Sequence, residues 1–243
     1  MIVIGEMRSG SRWLHYMLCL TFNKQPYPEL DRSYLRNKGA IESINYLISQ
    51  SFVVKFHRVT PKDICNKVNY PVIGIVRNPR DRAVSLAFHN RYYANNDNLL
   101  QKKAKTDKEA VDVTVLEDLG FKKSVHINLS LMIPENHHTS NVRTKYKNYI
   151  WCNYESLLES PYIVYSNICR FIDPNINQER IDYAVNEMRP EKLFGRKSGQ
   201  EDRHNAFFRK GINNDWLHWF DNNLKQYSEK DYQNYLNKLY VTN

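Results

Sequence analysis

Short apolar runs alternate along this chain with stretches of helical periodicity. Met1-Ile2-Val3-Ile4 is a β-rich apolar run closed by Gly5, and a helical pattern starts near Ser9 to Ser11. Phe52 to Phe56 reads as a second strand, and Pro71 to Val76 as a third, unbroken and apolar as a buried parallel strand should be. Helix-start chemistry follows both. Thr60-Pro61 and Asn78-Pro79 each set a capping side chain before a proline whose fixed φ suits the first helical turn. Residues 92–112 are polar and without a period, which predicts a surface loop or lid. A helix is expected over Val113–Met132, a fourth strand over Tyr149–Cys152, and a helix from Ser160-Pro161 to about Phe171. Another helix is expected over Asn177–Met188 and an extended loop over residues 190–207. Ser228 to Asp231 resembles a capping box for a last helix, Asp231–Tyr240. No internal repeat is present. The alternation predicts an α/β fold, a P-loop-like parallel sheet flanked by helices on both faces, as a single domain over 1–243.

Composition narrows the chemistry. With 42% hydrophobic and 25% charged residues, 243 residues can bury a core without disulfides or metals. Thirty-five Lys and Arg against 26 acids give +9, which points to an anionic partner: nucleic acid, a membrane surface, a phosphorylated cofactor or a sulfated glycan. The cysteines, at 19, 65, 152 and 169, form no CxxC pair, so free thiols in a reducing compartment are expected rather than disulfides or a zinc site. His137-His138 has no third ligand at useful spacing, and no metal is expected. The run Trp13–Phe22 behind Arg8 and Arg12 imitates a signal-peptide core, but Glu6 and His15 interrupt the region and no small-residue cleavage site follows. No run approaches the ~20 apolar residues of a membrane span. A cytoplasmic protein is expected.

Gly5-Glu6-Met7-Arg8-Ser9-Gly10-Ser11-Arg12 has the glycine spacing of a Walker A loop, yet Ser11-Arg12 replaces the Lys-Ser/Thr pair. That pair holds Mg²⁺ and bridges the terminal phosphates of a triphosphate. Helix-start amides would still cradle an anion, so the loop favours a nucleotide bound without metal. Three motifs sharpen this. Arg8-Ser9-Gly10-Ser11-Arg12-Trp13 resembles the 5′-phosphosulfate loop, usually Lys-Ser-Gly-Thr-Thr-Trp, of sulfotransferases that use 3′-phosphoadenosine-5′-phosphosulfate (PAPS). Arg77-Asn78-Pro79-Arg80-Asp81-Arg82-Ala83-Val84-Ser85 matches that family's 3′-phosphate motif R-N-P-x-D-x-x-V-S. Phe208 to Trp216 is similar to its C-terminal R-K-G-x-x-G-D-W, with Asn214 in place of the second glycine. The resemblance is to the cytosolic and bacterial type, although Arg-Ser-Gly-Ser is also the loop of many carbohydrate sulfotransferases.

The resemblance implies roles. Arg8, Ser9, Gly10, Ser11 and Arg12 would hold the 5′-phosphosulfate, and Trp13 would stack on adenine. Arg77 and Ser85 would hold the 3′-phosphate, with Arg209, Lys210 and the Gly211 amide closing over it. Tyr154, in Asn153-Tyr154-Glu155-Ser156, resembles the family's adenine-contacting Tyr-Glu-Asp. Lys55-Phe56-His57 resembles its Lys-Thr-His, which makes His57 the candidate base and gives Lys55 and Arg8 the charge developing on the leaving nucleotide. Arg8 cannot readily donate a proton where the cytosolic enzymes have lysine. The lysine-and-threonine dimer signal of cytosolic relatives is absent, and the first strand begins at Met1, so no preceding segment is expected to shape the acceptor pocket. The implied activity is transfer of the sulfuryl group of PAPS to a hydroxyl or amine of a small-molecule acceptor, with neither nucleic acid nor membrane span involved. A glycan sulfotransferase and a non-catalytic nucleotide-binding module of the same fold remain alternatives. Phe88, His89, Tyr92 and Tyr93 could line an acceptor pocket or simply pack their helix.

Overall fold

A computed structural model describes residues 1–57, 61–96, 146–195, 197, 199–200, 209–220, 222, 225–226 and 229. Its central strand is β1, Ile2–Gly5, buried along its whole length. Around it lie β2 (Gln25–Pro26), β3 (Leu30–Asp31), β4 (Phe52–His57), β5 (Val72–Val76) and β6 (Tyr149–Asn153). All pairings are parallel, in the order β2-β4-β1-β5-β6, with β3 also on β4. The register sets Ile4 beside Phe56 and Gly74, so the strands end together, as a sheet built for C-terminal-edge chemistry requires.

Side-chain alternation divides the sheet's two faces. Ile2 and Ile4 of β1 and Val54 and Phe56 of β4 point to one face, against Ile44 and Ile48 of α2 (Ala40–Ser49) and Ile64 of α3 (Pro61–Ile64). On β4 the intervening positions, Val53, Lys55 and His57, take the other face. There α1 (Ser11–Phe22) packs on β1 and β4, and buried His15 lies 2.8 Å from the Val53 carbonyl. One apolar face thus pins the strand whose opposite face carries Lys55 and His57. Deleting Phe56, which is fully buried, would cost about 3–5 kcal/mol by the usual price of a core cavity. Gly74 leaves room for Tyr149, whose hydroxyl would lie 2.2 Å from a Cβ there.

The remaining helices are α4 (Pro79–Asn96), α5 (Tyr154–Glu159), α6 (Pro161–Ile172), α7 (Gln178–Glu187) and α8 (Pro190–Phe194), followed by a 3₁₀ turn, Asp215–His218. Asn177 caps α7, accepting the Glu179 amide at 2.7 Å, and Pro161 opens α6. The chain divides into two compact units: Met1–Arg77 with His138–Arg196, which holds the sheet, and Asn78–His137 with Lys197–Val241. Within the second, α4 packs its Ala83, Val84 and Ala87 against Trp216 and Phe220.

Four expectations need correction. The loop expected over residues 92–112 is helical in its first part, because α4 runs to Asn96: no Gly or Pro interrupts 80–96, and polarity alone does not stop a helix; residues 97–112 lie outside the described residues. The extended loop expected from residue 190 opens instead with α8, started by Pro190 and closed by Gly195 at φ 63°. Neither α2 nor the two-residue strands β2 and β3 were expected; two residues carry no period to detect. The expected strand ending at Phe56 extends to His57. The helices expected over Val113–Met132 and Asp231–Tyr240, and His137-His138, lie outside the described residues.

Candidate functional site

The site is built where β1 ends. From Gly5 the backbone must reverse into α1 within five residues, and it does so through two left-handed positions, Arg8 at φ 65° and Gly10 at φ 91°. Gly10 adopts that conformation freely, whereas Arg8 bears strain of about 1–3 kcal/mol, a cost typical of functional loops. Both glycines are also required by close approach. A Cβ on Gly5 would stand 2.8 Å from Ser9 Oγ, and one on Gly10 2.4 Å from the Tyr154 ring. Ser9 is fully buried, and its hydroxyl has no hydrogen-bond partner among the described residues. An orphaned buried hydroxyl costs about 1–3 kcal/mol, so this one is suited to an incoming acceptor oxygen. The loop therefore fits an anion at the start of α1.

Tyr154, at the start of α5, backs the loop. The Arg77 guanidinium lies 4.2 Å above its ring centroid, and Trp13 meets it edge-on at 6.0 Å. Arg77 leaves the end of β5 and donates to the Arg8 carbonyl at 3.4 Å. Trp13 is buried, with its indole N–H donating to the Met188 carbonyl at 2.9 Å. Arg8, Ser9, Gly10, Trp13, Arg77 and Tyr154 are thus brought into one cluster, and Ser11 and Arg12 open α1 beside them.

The candidate base joins this cluster directly. His57 Nδ1 donates to the Gly5 carbonyl at 2.7 Å, which ties the candidate base to the first residue of the loop. Lys55 is almost fully buried; burial, and then the Arg12 guanidinium, pull its ammonium down to about 7. The pattern of the sequence did not reveal the third member. Glu29, between β2 and β3, places one carboxylate oxygen 2.6 Å from Lys55 Nζ and the other 2.6 Å from His57 Nε2. A lone glutamate in Tyr27-Pro28-Glu29-Leu30 carries no motif, and only the pairing of β3 with β4, Asp31 beside His57, brings it there. Burial pushes the four free cysteines up to about 12, so they are inert as thiolates.

The second unit holds the remaining candidates. Asp215 is buried and pairs with both Arg209 and Lys210, the latter at 2.8 Å. Asp81, near the start of α4, accepts the backbone amides of Asn214 at 2.9 Å and Trp216 at 3.0 Å. Asn214 is left-handed at φ 60°, so the residue standing where the family has glycine takes a glycine-like conformation, as asparagine can. Gly211 is left-handed too, at φ 64°. Arg80 lies 3.7 Å over the Trp216 ring and Arg209 3.9 Å over Phe88. Phe88 also meets Trp219 at 5.0 Å, so it serves packing. Ser85 sits on α4, partly buried. Among the described residues, no three His, Cys, Asp or Glu side chains gather as metal ligands, and no helix is long and apolar enough to cross a membrane.

Comparison with known proteins bears on both units. The fold resembles mouse sulfotransferase SULT7A1 complexed with PAP: TM-score 0.64, 16% identity, covering 97% of this chain and 83% of that one. It also resembles retinol dehydratase in complex with androsterone and inactive cofactor PAP, at TM-score 0.63 and 18% identity, covering 97% of this chain and 80% of that one. A further structure of retinol dehydratase, with retinol and PAP, gives TM-score 0.64 at 18% identity over the same shares. A search among curated proteins returned no match. The sulfotransferase domain model matches residues 1–240, and the chain belongs to that family.

Proposed function

We propose that this protein is a PAPS-dependent sulfotransferase that acts on a hydroxyl or amine of a small-molecule acceptor. The observation that carries the reading is the hydrogen bond from His57 to the Gly5 carbonyl, which joins a candidate base to a candidate anion loop. Arg8, Ser9, Gly10, Ser11 and Arg12 are assigned to the 5′-phosphosulfate; the orphaned Ser9 hydroxyl and the two left-handed loop positions support that assignment. Trp13 and Tyr154 are assigned to adenine. Arg77, Ser85, Arg209, Lys210 and Gly211 are assigned to the 3′-phosphate on the strength of their motifs. No metal is required by this set.

His57 Nε2 would take the proton of the acceptor as its oxygen or nitrogen forms a bond to sulfur. The bond from sulfur to the 5′-phosphate oxygen breaks with its electron pair, and Lys55 and Arg8 stabilise the charge left on that oxygen. The products are the sulfated acceptor and adenosine 3′,5′-bisphosphate, the PAP named in the related structures. Retinol and androsterone, bound by retinol dehydratase, favour a small-molecule acceptor over a glycan. The four buried free thiols support a cytoplasmic setting, and the family match over residues 1–240 supports one sulfotransferase domain.

The test is transfer of radiolabelled sulfate from PAPS to separate panels of phenols, aliphatic alcohols, amines and oligosaccharides. Label in a small-molecule acceptor, absent for His57→Ala, is expected. Label only in oligosaccharides would favour the glycan reading, and donor binding without transfer to any panel would favour the non-catalytic module.

A further inference from the structure

Hydrogen-bond valence at His57 leads beyond the reading above, on which the following rests. A carbonyl oxygen only accepts, so His57 Nδ1, 2.7 Å from Gly5 O, must carry a proton. A carboxylate also only accepts, yet Glu29 Oε1 lies 2.6 Å from Nε2. One proton therefore lies between Nε2 and Glu29, whichever atom holds it. In this arrangement the imidazole has no lone pair to offer an acceptor. The other oxygen of the same carboxylate holds Lys55 Nζ at 2.6 Å, the cation assigned to the leaving nucleotide. Both groups needed for transfer are thus engaged by one side chain.

That side chain is itself free to leave. Glu29 is 34% exposed, against 14% for His57 and 3% for Lys55, and it stands on the short connection between two-residue strands rather than within the core. Among the described residues, the Arg12 guanidinium and buried His15 from α1, Lys55 from the same strand and Glu29 from the β2–β3 connection stand near the pair.

We infer that Glu29 is a positioning residue that latches Lys55 and His57 together while no donor is bound, and that the sulfuryl group of the donor displaces it. An anionic sulfuryl group arriving beside Lys55 competes for the same ammonium. When the carboxylate withdraws, it carries the shared proton or releases it to solvent, leaving Nε2 with a lone pair and Nδ1–H still fixed on Gly5. The base is thereby armed only with the donor in place.

The test is ¹⁵N NMR of the histidine rings in the full-length protein, with His57→Asn used to assign the His57 signals. Without nucleotide, His57 is expected to show both nitrogens protonated or sharing a proton. PAPS is expected to convert it to the neutral form with a bare Nε2. Glu29→Gln retains the shape of the side chain but not its charge, and is expected to show the bare Nε2 with and without PAPS. Calorimetry should find that Glu29→Gln binds PAPS about three- to tenfold more tightly, because the latch no longer competes. A bare Nε2 in the nucleotide-free protein would overturn the inference. So would a Glu29→Gln spectrum identical to the parent, a shared proton that persists with PAPS bound, or unchanged or weaker PAPS binding by the variant. If the parent protein binds no PAPS, the proposed function and the donor-driven release fail together, while the nucleotide-free spectra still decide the Glu29–His57 pairing separately.

Discussion

Two carboxylates in this molecule each hold two candidate site residues, and they do so in opposite ways. In the second unit, Asp215 is 4% exposed and grips Arg209 and Lys210 from within their own sequence motif, six and five positions along the chain. In the first, Glu29 is 34% exposed and grips Lys55 and His57 from a segment with no motif at all. A buried carboxylate with two cations is part of the framework, because removing it strands charge in a poor solvent. A carboxylate one-third exposed can itself be rehydrated as it leaves, and the buried Lys55 ammonium it releases then calls for another anion in its place. The difference separates residues that shape the site from residues that can give way to a ligand.

Substitutions can break or sharpen that contrast. The largest effect belongs to neither carboxylate but to the group that Glu29 restrains. His57→Ala should lower kcat/KM for sulfuryl transfer by about 10²–10⁴, the usual worth of a positioned base, in steady-state assays with saturating acceptor. Asp215→Ala should cost about 3–5 kcal/mol in urea unfolding, because the Arg209 and Lys210 charges lose a buried carboxylate partner. A cost below 1 kcal/mol would erase the distinction between the two carboxylates. Lys55 adds a pH dependence. Its ammonium is held down to about 7, so the charged form proposed to stabilise the leaving nucleotide is lost as pH rises through that value. The rate should then fall about tenfold per pH unit above 7, and Lys55→Arg should abolish that alkaline limb because a guanidinium stays charged. The sign is opposite for stability: the unfolded chain binds the extra proton between about 7 and 10.5, so Lys55 makes folding more favourable as pH rises across that window. The smallest effect is expected for Glu29→Gln, whose unfolding free energy should shift by no more than about 1 kcal/mol.

The sheet was legible because its strands advertise themselves. Ile2 to Ile4, Phe52 to Phe56 and Val72 to Val76 are β-rich runs, mostly apolar, that end at glycine, histidine and arginine, and the β1–α1 loop announces itself by its glycine spacing. The motifs also singled out Arg77 and Tyr154, and the structure brings both against the loop. Two things were beyond reach. Residues 92–96 and 190–194 are helical without an apolar stripe, so their start and stop signals had to be weighed against polarity, and polarity prevailed. Glu29 was invisible for a different reason. It approaches Lys55 and His57 through the parallel pairing of a two-residue strand 26 positions upstream of the strand that bears them, and pairing of that kind leaves no local trace. Asp81 lies between the two cases: it is a defined position of its motif, but its work, accepting the Asn214 and Trp216 amides, is done 133 and 135 residues away.

The central claim is that the loop after β1 and Arg77 hold a nucleotide bearing a 3′-phosphate without metal. Calorimetric titration with adenosine 3′,5′-bisphosphate in EDTA, on the parent protein and on Arg77→Ala, tests it most directly. The account predicts micromolar binding that EDTA leaves intact and that Arg77→Ala weakens at least about tenfold, the scale of one lost charge-assisted contact to phosphate. An absence of binding, or binding of ATP only in the presence of Mg²⁺, would contradict it.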